Sequence, residues 1–382
     1  MKRRCQTLVM LGVLSTLGLS CLVHSAPQDA DWACFRGGPQ MTGASASPFI
    51  YASLQPTPSA APRPVWTYEA GSAVESTAAI VGDSVYVGTS GKSLLALRLA
   101  DGKPRWQFPT SHAIAASPCV VGNRVYVGDR GGTFYAVNAE TGRLAWKFRT
   151  DDEIISSAAP APGAVLVGSY DYNLYKLDAA TGRKIWEFTC DAQVHCSPCI
   201  VSGLAVIAGC DGYVRMVDLR TGKQRAHANI GTVFAATPAY GSGCVFVGGL
   251  EGEYLAVRVS DAKVIWQVLV RKNEGASYAS AAVRDDAVIF ASRNHMVFRL
   301  DRATGRTKWV FRAKEAVDSS PVIAGNRVYF GSDDGNLYAL DLASGRRIWA
   351  FNAGARVAAS PAIGRGRLVI GAADGAIYCF GR

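Results

Sequence analysis

Charge is what this sequence has least of. Asp, Glu, Lys and Arg make up only 18% of its 382 residues, against 49% apolar ones. A chain that stays disordered needs the reverse, low hydrophobicity with high charge, so a folded core is expected. Low charge together with 40 glycines also excludes a coiled coil. Histidine is scarce, five in all, and there is no Gly-x-Ser-x-Gly, no His-Glu-x-x-His and no phosphate-binding loop. These gaps remove common routes to esterase, zinc-peptidase and nucleotide chemistry. No stretch reads as an amphipathic helix of useful length. The one long apolar run is Leu8–Leu19, short of the roughly 20 residues that span a bilayer. Net charge is +10, but Lys2, Arg3 and Arg4 supply three of the 40 cations. The remaining 37 against 30 anions leave +7, scattered along the chain and not clustered as a nucleic-acid binder requires. No nucleic-acid partner is expected.

The N-terminus reads as an address. Lys2, Arg3 and Arg4 precede the apolar run, and Val23-His24-Ser25 stands before Ala26 in the manner of a cleavage site. Residues 1–25 are therefore expected to be a signal peptide, with a lipid on Cys21 as a second means of attachment. The mature chain is expected to be periplasmic or outer-membrane-associated, and monomeric. Eight cysteines follow Ser25: Cys34, Cys119, Cys190, Cys196, Cys199, Cys210, Cys244 and Cys379. An oxidising compartment permits disulfides among them, but sequence leaves their connectivity open. Residues 26–62, rich in Ala, Pro and Ser, read as a tether or a strap.

Tryptophan reveals the architecture. Trp66, Trp106, Trp146 and Trp186 are 40 residues apart; Ala226 takes the next position; Trp266, Trp309 and Trp349 follow, with three extra residues before Trp309. Each unit carries short runs rich in Val, Ile and Tyr, such as Val125-Tyr126-Val127 and Val328-Tyr329-Phe330. Such runs are strands, and the Gly-Asn, Asp-Gly and Thr-Gly steps between them are tight turns. Four strands per 40 residues make a propeller blade. A unit start recurs at Glu75, Ala115, Ile155, His195, Ala235, Tyr278, Asp318 and Ala358, which counts eight. The last unit lacks a Trp strand, and Val65-Trp66-Thr67-Tyr68 is a Trp strand without a unit. The expected fold is an all-β, eight-bladed propeller of four-stranded blades over residues 63–382, closed by the N-terminal strand completing the last blade. The seven lattice tryptophans are expected to dock blade on blade, each contributing roughly 2–4 kcal/mol of apolar burial.

The segment Ala136-x-Asn138-x-x-Thr141-Gly142-x-x-x-Trp146 resembles the tryptophan-docking motif of the pyrroloquinoline quinone (PQQ) repeat family. Leu177-Asp178-x-x-Thr181-Gly182-x-x-x-Trp186 and Leu340-Asp341-x-x-Ser344-Gly345-x-x-x-Trp349 repeat it, and Trp32-Ala33-Cys34-Phe35-Arg36-Gly37 is similar to the lead-in found before such propellers. The resemblance implies one of two classes. One is the non-catalytic scaffold of the BamB type, which acts in outer-membrane protein assembly with protein partners in the cell envelope. The other is the PQQ-dependent alcohol or sugar dehydrogenases. In the dehydrogenases, adjacent cysteines flank the quinone and Glu, Asn and Asp hold Ca²⁺; this sequence has no Cys-Cys pair and no identifiable ligand set. The near-minimal units leave little loop for a cofactor chamber, so the expected function is a scaffold without PQQ, calcium or catalytic residues. The scaffold class also places charges on its mid-chain rim, where this chain has Ala235. A ligand- or glycan-sensing propeller is the further alternative.

Binding candidates are the unit starts that depart from small or apolar residues: Glu75, His195, Tyr278 and Asp318, which equivalent ring positions would bring to one funnel. The insertion Arg271-Lys272-Asn273-Glu274 is a candidate partner loop. Cys196-x-x-Cys199 has a metal-like spacing, but residues three apart on a strand point to opposite faces, which favours buried thiols or a disulfide.

Overall fold

In the computed structural model, residues 30–47, 62–270 and 275–381 are described. The predicted signal peptide, Cys21 and the candidate partner loop Arg271, Lys272, Asn273 and Glu274 lie outside them. The Val/Ile/Tyr runs form eight antiparallel four-stranded sheets, one of which gains Ala44–Ser45 as a parallel fifth strand beside Val322–Ala324, and among the described residues the only helical element is the turn Phe35–Gly37. Blade one comprises Ala79–Val81, Ser84–Thr89, Ser93–Arg98 and Pro104–Pro109, ordered from axis to rim, and blades two to seven repeat it. Blade eight is made from both ends of the chain: Trp66–Glu69 pairs with Ala376–Gly381, with Trp66 opposite Cys379 and Glu69 opposite Ala376. That pairing closes the ring and leaves no open sheet edge between first and last blades.

The blades are pinned by one repeated contact. The Trp106 indole donates to Ala139 O at 2.9 Å and lies over Gly142, where a Cβ would stand 2.8 Å from the ring. Trp66, Trp146, Trp186, Trp266 and Trp309 do the same with Leu99 and Gly102, Ala179 and Gly182, Leu219 and Gly222, Arg302 and Gly305, and Leu342 and Gly345. Each of these glycines has positive φ, so two demands converge on it: a left-handed turn and no side chain beneath the indole. Trp349 is buried but its indole N–H has no partner among the described residues, and the other exception tests the rule. Ala226 stands on the lattice in place of Trp, and the matching turn position is Ala262, still left-handed at φ 57. With no indole above it, the Cβ has room, and both alanines join one apolar cluster.

Residues 30–47 circle one end of the axis. Their carbonyls accept from the innermost strands in turn: Ala30 from Arg365 N, Trp32 from Ile80 N, Ala33 from Val120 N, Pro39 from Ile200 N, Gln40 from Tyr240 N, Thr42 from Val283 N and Gly43 from Ile323 N, at 2.7–3.0 Å. Six of these donors, Ile80 through Ile323, occupy one repeat position, and in blade eight the contact moves two residues on, to Arg365. In blade three that position is Pro160, which has no N–H to satisfy. The strap thus takes up inner-edge donors that would otherwise be buried and unpaired. Its centre is Arg36, fully buried, whose Nη2 donates to Ala281 O at 2.8 Å and Pro321 O at 2.6 Å. Burial lowers its pKa to about 9. Only glycine fits at position 43, because a Cβ there would stand 1.7 Å from Arg36 Nη2.

Substitution of Gly142 by Ala is expected to cost about 2–4 kcal/mol, from the left-handed turn plus overpacking under Trp106. Ala262→Gly should stabilise by up to about 1 kcal/mol, because only the turn term is present. Urea unfolding of the two variants measures the contrast; equal and opposite shifts would disprove the role of the indole.

Candidate functional site

The eight unit starts meet at the axis. Glu75, Ala115, Ile155, His195, Ala235, Tyr278, Asp318 and Ala358 all line one cavity of about 190 Å³, with Phe35 of the strap closing its far end. Each lies four residues before its innermost strand begins, so the ring symmetry brings together side chains up to 283 residues apart (358 minus 75).

Two positions further along each unit lies a second ring: Thr77, Ser117, Ser157, Ser197, Thr237, Ser280, Ser320 and Ser360. Seven of these hydroxyls accept the backbone N–H of the neighbouring ring residue, from Thr77 N to Ser117 Oγ through Ser320 N to Ser360 Oγ, all at 2.9–3.0 Å. A hydroxyl is needed because the donor is a buried N–H from another blade, out of reach of any ladder carbonyl. The sequence reading passed over this ring. Its signal was present in the recurring Ser-Pro and Thr-Pro steps at Ser117, Ser197, Thr237, Ser320 and Ser360.

The open mouth is charged but paired. Arg293 grips Asp318 with two hydrogen bonds of 2.8 Å, and its guanidinium carbon lies 3.8 Å from the centre of the Tyr278 ring. Arg356 binds Glu75 at 2.9 Å and reaches Asp333 at 3.9 Å. The bond to Asp318 raises the Arg293 pKa, while burial raises that of Asp333. Arg130 pairs with Glu153 at 3.1 Å. None of these arginines was singled out from sequence, because each is brought in from a turn of an adjacent blade.

His195 differs from the other polar candidates. Its Nδ1 is 2.6 Å from Tyr170 Oη, and burial, with a smaller contribution from Arg130, lowers its pKa to about 4. Burial pushes the Tyr170 phenol up to about 12. Both groups are therefore neutral, and the direction of the hydrogen bond they share follows the imidazole tautomer. Glu75, His195, Tyr278 and Asp318 thus line one cavity from four different blades, with Glu75 and Asp318 held by arginines.

The cysteine cluster separates into individual roles. The Cys196 thiol accepts the Ala208 N–H at 3.3 Å, in the slot where Ser76, Ser156 and Ser319 accept Gly88, Gly168 and Gly331 in other blades. Cys199 instead donates to the strap at Gln40 O, 3.3 Å away. Among the described residues no group of three or more His, Cys, Asp or Glu is arranged to hold a metal ion.

Over residues 61–117, 109–309 and 257–381 the sequence matches the family described as outer membrane protein assembly factor BamB. The chain belongs to that family. BamB from Moraxella catarrhalis superimposes with a TM-score of 0.75 over 84% of this chain and 100% of that one, at 18% identity. The quinohemoprotein alcohol dehydrogenase of Comamonas testosteroni gives 0.80 over 94% and 81%, at 14% identity. The computationally designed protein Ika8 gives 0.74 over 84% and 100%, at 16% identity. At such identities the likeness is one of fold. No curated protein matches the sequence.

The depressed His195 pKa carries a pH dependence of defined sign. The unfolded chain takes up a proton near pH 6.5 and the folded one only near pH 4. Stability is therefore complete above the unfolded value and is lost as pH falls from about 6.5 to 4, at no more than about 1.4 kcal/mol per pH unit. His195→Gln should flatten that part of the stability–pH curve. An unchanged slope in the variant, measured by urea unfolding across pH 4–7, would rule the imidazole out as its origin.

Proposed function

We propose that this chain is a non-catalytic scaffold of the cell envelope, periplasmic or attached to the outer membrane, that holds an extended segment of an envelope protein along the outer edge of blade five. The supporting observation is the composition of the outermost strands. Seven carry a charged residue, a proline or both, among them Arg105, Lys147, Lys184, Arg225, Lys308, Arg347 and Glu69. Charge and proline are what keep a free sheet edge from recruiting other strands. Val264–Leu269 has neither, and its Ile265 and Leu269 are exposed, Leu269 by 54%.

The backbone of that strand is set for pairing. Val270 N donates inward to Gly252 O, so by alternation Gln267 and Leu269 turn their N–H and C=O groups away from the blade. From Trp266 to Leu269 the register is regular, past the bulge that follows Val264. A strand added there gains main-chain hydrogen bonds, with Ile265 and Leu269 supplying an apolar face. Segments of outer-membrane β-barrels have the matching pattern, apolar residues alternating with polar ones. The candidate partner residues Arg271, Lys272, Asn273 and Glu274 follow directly in sequence. The family description, outer membrane protein assembly, supports the same reading.

The dehydrogenase alternative draws on fold alone. Both funnel carboxylates, Glu75 and Asp318, are bound by arginines. The convergent oxygen set that Ca²⁺ needs is not formed by these groups.

Leu269→Arg is a built-in test, since Arg149 and Arg312 stand at the same register in blades two and six. The variant should fold normally. With a photoreactive residue at position 267, the wild-type background is expected to give adducts to outer-membrane β-barrel proteins or their assembly components, and the Leu269→Arg background at least about tenfold fewer, as for a charge placed on a docking edge. Equal yields in the two backgrounds would refute the edge, and absence of envelope β-proteins from the wild-type adducts would refute the scaffold.

A further inference from the structure

Cys34 belongs to the strap and Cys119 opens the innermost strand of blade two, 85 positions apart in sequence (119 minus 34). Folding brings them together. Val120 N donates to Ala33 O at 2.7 Å, which fixes the two chains side by side with one thiol on the residue after Ala33 and the other on the residue before Val120. The Cys34 thiol is near enough to Cys119 to push that thiol well above the ordinary thiol range, together with burial. Both are buried, at 1% and 0% exposure, in one apolar cluster with Ile154 and Val165. Cys196, Cys199 and Cys210 instead bond to backbone groups. Two thiols in one apolar cluster, each next to one end of the same backbone hydrogen bond, are neighbours in space, which is the first condition for a disulfide.

We propose that Cys34 and Cys119 are joined by a disulfide in the mature protein, stapling the strap to blade two. The proposal rests on the envelope reading only for its oxidant, a disulfide-bearing thiol–disulfide oxidoreductase. One cysteine thiolate attacks a sulfur of that disulfide and expels the oxidant's first thiolate. The second cysteine thiolate then attacks the protein sulfur of the mixed disulfide, forms the Cys34–Cys119 bond and expels the oxidant's second thiolate. The protein loses two hydrogens, and the oxidant takes up two electrons and two protons. Because both sulfurs are buried once the strap is seated, exchange takes place before it closes.

The staple acts on the funnel. Phe35 and Arg36, the residues that close the axis on the strap side, follow Cys34 directly. A bond at Cys34 anchors that floor to the ring independently of the carbonyl contacts farther along the strap. It also closes a long loop in the unfolded chain, which is where a cross-link restricts the unfolded ensemble most.

The full chain, reduced in denaturant and then refolded in the presence of oxidised glutathione, is expected to yield a Cys34–Cys119 linked peptide on non-reducing mapping and an intact mass lower by two hydrogens. Its Tm should rise by roughly 5 °C over the reduced form. Cys34→Ser should abolish both changes, whereas Cys196→Ser, which copies other blades, should leave both in place. Cys34 and Cys119 both open to alkylation after oxidation, or linked to other cysteines, would overturn the proposal without any variant. The same mapping on protein isolated from cells separates the two readings. A bond that forms with glutathione but is missing from the isolated protein overturns the envelope location while upholding the competence of the pair.

Discussion

An indole laid across a glycine of the next blade is the contact on which the ring depends. Six of the eight junctions use it in full, with the indole N–H bonded to a neighbouring carbonyl and the ring covering a left-handed turn. It couples local and long-range requirements at a single residue. The glycine is demanded by its own backbone angle and again by the aromatic face above it. Where Trp gives way to Ala226, the second demand disappears and Ala262 replaces the glycine, while the first persists in its positive φ. A repeat that loses one half of the contact has thus changed the other half in a compatible way.

The closed ring has two unlike ends. On one, the strap binds the inner edges of the blades and seats Arg36 and Phe35 on the axis. On the other, the funnel opens between arginine–carboxylate pairs and a neutral His195. Sealing one end makes the axis a blind recess. Backbone groups remain free instead along the outer strands. The propeller's circumference carries charges or prolines nearly all the way round, and the interruption at blade five follows from side-chain identity alone, because the backbone there repeats that of its neighbours.

Much of this was legible in the residues. The spacing of Trp66 through Trp349 contained the blade count, and the mismatch between a unit without a Trp strand and a Trp strand without a unit contained the closure at Trp66–Glu69. The convergence of Glu75, His195, Tyr278 and Asp318 on one cavity followed from equal offsets within equal units. The hydroxyl ring was visible but unread: a repeated Ser-Pro step looks like turn chemistry until neighbouring N–H groups are seen pointing at it. Arg293, Arg356 and Tyr170 were out of reach, because they enter the funnel from turns whose direction depends on blade twist.

Sequence by itself determined the repeat, the number of blades, the join of the two ends and the register that faces the axis. These depend on periodicity, and a period survives whatever the precise twist of each sheet. Tertiary structure alone decided which groups meet across blades: the partner of each funnel carboxylate, the path of the strap over eight inner edges, and the meeting of Cys34 with Cys119. Such contacts depend on ångström-scale distances between segments far apart in the chain. No local pattern of residues encodes them, because they exist only once the ring has closed.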